Sequence, residues 1–116
     1  MLIPESMKIY LYALPTDMRK SIDTLCIMIS DVLKMNPADG HLFLFRSKSG
    51  NKLKALYYEQ NCFTLWYRRL EKGKFVFPKN GQGSIEMTRE HFSWLLASDK
   101  YSRCDAMETR EYTGFY

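Results

Sequence analysis

From Met7 the chain alternates, with Met7, Ile9 and Leu11 on one side and Lys8, Tyr10 and Tyr12 on the other. A period of two predicts a half-buried strand over Met7–Ala13. Pro15 closes it. Thr16 is a residue type that caps helices, and Asp17 behind it would place negative charge at a helix N-terminus. Met18, Ile22, Leu25, Cys26, Ile29 and Leu33 then recur at the spacing of one buried helical stripe. The pattern therefore predicts a helix opening at Asp17, stopped by Asn36-Pro37 and followed by an Asp39-Gly40 turn.

After Gly40 the period changes. His41–Ser47, Lys52–Tyr58, Cys62–Arg69 and Lys74–Phe77 are short runs of aromatic and aliphatic residues separated by turn signals, and read as strands. Lys72-Gly73 as a two-residue loop would set Glu71 opposite Lys74 and Leu70 opposite Phe75. A three-residue Ser49-Gly50-Asn51 loop would set Arg46 opposite Lys54 and Lys48 opposite Lys52, a like-charge tip that an anion would relieve. A Pro78–Gly83 linker precedes a short strand, Ser84–Met87. Thr88 then caps a second helix, Arg89–Ala97, burying Phe92, Leu95 and Leu96. These elements predict a single α+β domain over residues 1–97: an antiparallel β-sheet of about five strands, order β-α-β-β-β-β-α, with the helices on one face. Periodicity fails from Ser98, so residues 98–116 read as a polar C-terminal tail with scattered aromatics.

Composition narrows the function. At 116 residues the chain has room for one core, and its 46% hydrophobic content excludes a disordered polymer. No apolar run is long enough to span a membrane, and the opening MLIPESMK lacks the pattern of an export signal. Three scattered cysteines, Cys26, Cys62 and Cys104, fit a reducing cytoplasm, with Cys26 and Cys62 read as small core residues. The net charge of +4 is unevenly placed. Between Arg46 and Lys79 nine basic residues face only Glu59 and Glu71, a local +7, while the remainder carries −3. Such concentration is an electrostatic footprint for a polyanion.

Catalytic chemistry finds little to work with. Gly81-Gln82-Gly83 lacks the rest of a phosphate-binding loop. His41 and His91 are isolated, and no Cys-x-x-Cys is present. Asp17, Asp23, Asp31, Asp39, Glu59 and Glu71 read as capping, turn and solvated positions rather than as a converging two-metal site. The chain reads as a non-enzyme, without cofactor or metal. Tyr57, Tyr58, Trp66 and Tyr67, interleaved with basic residues, could offer stacking surfaces to bases or could pack the core.

Three blocks carry a specific resemblance: Thr16-Asp17-Met18-Arg19-Lys20-Ser21-Ile22-Asp23; Gly40-His41-Leu42-Phe43-Leu44-Phe45-Arg46 with Gly50-Asn51-Lys52-Leu53-Lys54-Ala55-Leu56-Tyr57-Tyr58; and Phe63-Thr64-Leu65-Trp66-Tyr67-Arg68-Arg69-Leu70-Glu71-Lys72-Gly73-Lys74-Phe75. In order and spacing, over about residues 4–97, the chain resembles TnpB, the second-reading-frame family of insertion-sequence-sixty-six transposons. The resemblance implies an accessory factor working beside a separate DDE-type transposase, with no catalytic residues and no cofactor. Members commonly carry further basic residues where this chain has Ser47 and Ser49.

Two roles follow. In the first, Arg46, Lys48, Lys52, Lys54, Arg68, Arg69, Lys72 and Lys74, with Arg19 and Lys20, grip the phosphates of DNA at transposon ends or in flanking sequence. In the second, the basic surface and the aromatics form an adaptor for the transposase or another transposon-encoded protein.

Overall fold

The structure, a computed structural model, describes residues 3–78 and 83–97. Its elements are β1 (Ile9–Tyr12), α1 (Ile22–Asp31), β2 (Leu42–Arg46), β3 (Lys52–Glu59), β4 (Cys62–Arg69), β5 (Ser84–Met87) and α2 (Arg89–Leu96). The strands form one sheet in the order β4-β3-β2-β1-β5. The expected α+β class is therefore observed, and its strands lie close to where alternation places them. The sheet, however, is mixed rather than wholly antiparallel: β1 and β2 run parallel, with Ile9 opposite Leu42 and Leu11 opposite Leu44. Two strands joined through a helix can pair in parallel, whereas tight hairpins force antiparallel pairing.

The two helices cover opposite faces, not one. On the first face Leu25 and Ile29 of α1 pack with Phe43, Phe45 and Leu56, flanked by Tyr10, Tyr12, Phe63 and Leu65. On the second, Phe92 and Leu95 of α2 pack with Ile9, Leu11, Leu42, Leu44, Leu53, Ala55 and Met87, together with Leu70 and Phe75. Leu42, Phe43, Leu44 and Phe45 are all buried, because successive side chains of β2 enter alternate cores. A strand buried on both sides needs a cover on each.

Helix α1 starts later than the pattern predicts. Its N-cap is Ser21, whose side chain makes no capping hydrogen bond. Thr16, the expected cap, is buried, and its amide donates to the Arg46 carbonyl at 2.8 Å. Asp17 instead organises a turn: its carbonyl accepts from the Lys20 amide at 3.1 Å and its carboxylate from the Arg19 amide at 2.9 Å. Met18 and Leu33 still reach the first core from outside the helix, which is why the apolar stripe overstates the helix length. Thr88 caps α2 as expected, its hydroxyl accepting from the His91 amide at 3.0 Å.

Residues 74–77 form no strand. Leu70 and Phe75 both enter the second core, but the segment docks on the β2–β3 turn: the Leu70 amide donates to Asn51 O and the Phe75 amide to Gly50 O, each at 2.8 Å. Cys62 is exposed at the start of β4 rather than in the core. The Gln60-Asn61 turn before it carries positive φ at both residues, the conformation of a two-residue hairpin loop matching strand twist. The tail from Ser98 lies outside the described residues.

The two-sided core makes a graded expectation. Leu25→Ala and Leu44→Ala, one in each core, should each lower unfolding free energy by about 2–5 kcal/mol. Ile27→Ala, on the exposed side of α1, should stay within about 0.5 kcal/mol. Urea denaturation of the three variants checks the ordering.

Candidate nucleic-acid interface

Register decides which charges meet. In the β2–β3 hairpin Phe45 lies opposite Lys54 and Arg46 opposite Leu53, and the Ser47 amide donates to the Lys52 carbonyl at 3.1 Å. The connecting loop is thus one residue longer than expected, and the anticipated Arg46–Lys54 and Lys48–Lys52 pairs do not form. The longer loop follows from Ser47. Its buried hydroxyl accepts from the amides of Gly50 at 3.2 Å and Lys52 at 3.1 Å, closing the turn from inside. Gly50 has φ +83°, and the stem of Lys74 lies across it, so a Cβ there would meet Lys74 Cδ at 3.5 Å.

A like-charge pair does form one strand further on. Lys52 lies directly opposite Arg69 in the β3–β4 ladder, at the same end of the sheet as the β2–β3 turn. Like charges across strands repel. Arg69 also pairs with Glu71, Nη2 to Oε2 at 3.1 Å, between two side chains more than half exposed. Glu71 therefore answers Arg69 rather than Lys74. Lys48 is exposed in the turn, Lys74 lies against Gly50, and Lys72 is exposed beside Gly73.

Several other basic residues also have contacts within the fold. Lys54, 8% exposed, donates from Nζ to the Lys20 carbonyl at 2.6 Å and sits 5.3 Å from the Tyr67 ring centroid. Burial pushes its ammonium below the usual lysine range, and the charge of Asp17 partly counters that shift. Arg46 is half-buried. Its Nη2 donates to Ala13 O at 2.9 Å, and its guanidinium lies 5.6 Å from the Phe77 ring centroid. Arg19 is exposed but bound to Asp17, with Nη2 2.7 Å from Oδ2. The hydrogen bonds from Arg19 hold the Asp17 carboxyl well below the carboxylate range. Lys20 is half-buried, its carbonyl engaged by Lys54. Arg68 is exposed, with its guanidinium 5.6 Å from the Trp66 ring centroid.

The aromatics divide similarly. Tyr57 and Trp66 flank the second core, and Tyr58 stacks at a tilt on Phe63 with centroids 4.8 Å apart. Tyr67 is 50% exposed on the α1 face, beside Lys54. The internal role of Lys54 escaped sequence reasoning. Its one available signal was position: Lys54 alternates with Leu56, placing it on the face that α1 covers.

Among the described residues no group of three His, Cys, Asp or Glu side chains could hold a metal ion. An apolar cleft of about 210 Å³ between Phe77 and α2 is lined by Val76, Pro78, Met87, His91 and Trp94, with His91 its one ionisable side chain. No described helix is long and apolar enough to cross a membrane.

Comparison with known proteins supplies the biological setting. Residues 7–106 match the family described as IS66 Orf2 like protein, TnpB_IS66. The chain belongs to that family. Two relatives come from Sinorhizobium fredii (strain NBRC 101917 / NGR234). "Uncharacterized protein y4hO" is 34% identical over 93 residues, 80% of this chain and 81% of the relative. "Uncharacterized protein y4jC" is 33% identical over 89 residues, 77% and 76% respectively. No solved structure matches the chain significantly. Membership in the IS66 Orf2-like family accords with a non-catalytic, transposon-associated role, and its matched region runs past Ala97.

The division between engaged and solvent-facing cations is measurable. Lys54→Ala removes a buried hydrogen bond and a cation–ring contact, and should cost about 1–3 kcal/mol of stability. Lys48→Ala, at an exposed turn position, should change stability by no more than about 0.5 kcal/mol. Chemical denaturation distinguishes the two.

Proposed function

We propose that this IS66 Orf2-like protein supports transposition by binding DNA through the end of the sheet formed by the β2–β3 turn and the C-terminal end of β4. The observation that carries the reading is the juxtaposition of Lys52 with Arg69, with Lys48 and Lys74 at the same end. Glu71 answers Arg69 in part, through an exposed ion pair, and phosphate oxygens would offset what remains of the repulsion with Lys52. In this reading Lys48, Lys52, Arg68, Arg69, Lys72 and Lys74 contact phosphates. Arg46 and Lys54 shape the surface from within, and Arg19 is largely neutralised by Asp17. The expected partners are DNA at transposon ends or in flanking sequence, together with the transposase, in the cytoplasm.

Such contacts are electrostatic and carry little sequence information. Affinity for a duplex should fall with salt at a log–log slope of about −0.9 per phosphate neutralised. Replacing both Lys52 and Arg69 with Ala should reduce the slope by about 2, whereas Lys54→Gln should leave it unchanged. Absence of duplex retention at low salt would reject direct DNA binding. It would favour the reading in which the same cations meet an acidic surface of the transposase or another transposon protein.

A further inference from the structure

β4 is an edge strand of eight residues, and all eight pair with β3 without interruption, from Glu59–Cys62 to Lys52–Arg69. Backbone parity shows what it presents outward. The Leu70 amide bonds the Asn51 carbonyl, whereas Ser47 bonds Lys52 on the opposite side of β3. Odd-numbered residues of β3 thus bond β4 and even-numbered ones bond β2. In β4, residues 64, 66 and 68 turn their amides and carbonyls toward β3, while Phe63, Leu65, Tyr67 and Arg69 turn theirs away. No backbone hydrogen bond on that outer side is found among the described residues.

Free edges are normally blunted by shortness, proline, a bulge or distributed charge. β5, at the other edge, is four residues long. β4 has no proline, its ladder has no bulge, and Cys62–Tyr67 is uncharged, with Arg68 and Arg69 confined to one end. We infer that β4 pairs antiparallel with β4 of a second copy, joining two sheets into one of ten strands about a two-fold axis at Trp66. The occupant follows from the strand's own charge. Parallel pairing would bring the arginine ends together; antiparallel pairing sends them apart. Outward residues must pair with outward residues, so only even registers are allowed. Centring on Trp66 matches Phe63 with the second copy's Arg69 and Leu65 with its Tyr67. It also matches Thr64 with the second copy's Arg68 and stacks Trp66 against its own mate. No like charges meet, and an aromatic pair occupies the axis.

Sedimentation velocity on the full chain over a range of concentrations tests this. The expected result is reversible conversion from 13.7 kDa to twice that mass. Tyr67→Pro removes an outward amide without touching the β3 ladder, and should abolish the dimer with circular dichroism unchanged. Thr64 is exposed, so its substitutions need not disturb the core. Thr64→Glu should lower the dissociation constant and Thr64→Lys should raise it, each several-fold, because each meets Arg68 twice. Monomer mass for wild type and Thr64→Glu at every concentration would overturn the inference, as would a dimer that ignores Tyr67→Pro. A dimer lost with Tyr67→Pro but indifferent to both Thr64 substitutions would overturn the Trp66-centred register. Failure of DNA binding would leave these outcomes unchanged.

Discussion

Burial of β2 on both faces is the constraint from which the rest of the architecture follows. Four consecutive apolar residues, Leu42 to Phe45, leave no polar side for solvent. Each fully buried side chain of this size is worth about 1.5–3 kcal/mol, so both faces of the sheet must be covered. Helix α1 closes one side with Leu25 and Ile29; α2 and the 70–75 segment close the other. The parallel β1 neighbour puts another strand beside β2 and leaves β4 and β5 as the edges. The positive hairpin end lies at the rim of this double core, where alternation can no longer bury every side chain.

Strand locations were legible because alternation and turn residues operate locally, and Thr88 was legible because capping is local too. Pairing was less so. Whether β1 meets β2 in parallel depends on where α1 lands, a tertiary outcome that no window of sequence encodes. The apolar stripe misplaces the helix start because Met18 contributes to the core without being helical, and Thr16 is tied to Arg46 rather than to a helix end. The first-hairpin register differs by one residue from the one a three-residue loop predicts, because Ser47 closes a longer loop from inside. A slip of one residue exchanges the faces of a strand, and here it moved Arg46 and Lys54 to opposite sides of the sheet. The segment 74–77 looks like a strand for a related reason. Phe75 is buried as a strand residue would be, but its amide bonds a turn instead of a ladder.

The charge concentration was visible in the sequence, but its division of labour was not. Lysine and arginine carry long apolar stems and several donors, so the same residue type can serve solvent, a ring or a carbonyl. Lys54 joins β3 to the segment before α1, and Arg46 joins the end of β2 to the segment after β1. The set proposed to meet a polyanion is smaller and lies at one end of the sheet, centred on the Lys52–Arg69 pair. Family membership places the protein beside the transposition machinery of IS66 elements. That end of the sheet is the proposed point of contact with DNA.

Amide chemical-shift mapping with a short duplex at low salt tests that contact most directly. Changes at Lys48, Lys52, Arg69, Lys72 and Lys74 that vanish as salt is raised, with α1 left unperturbed, are the expected result. Changes centred on α1 or α2, or none at any salt concentration, would contradict it.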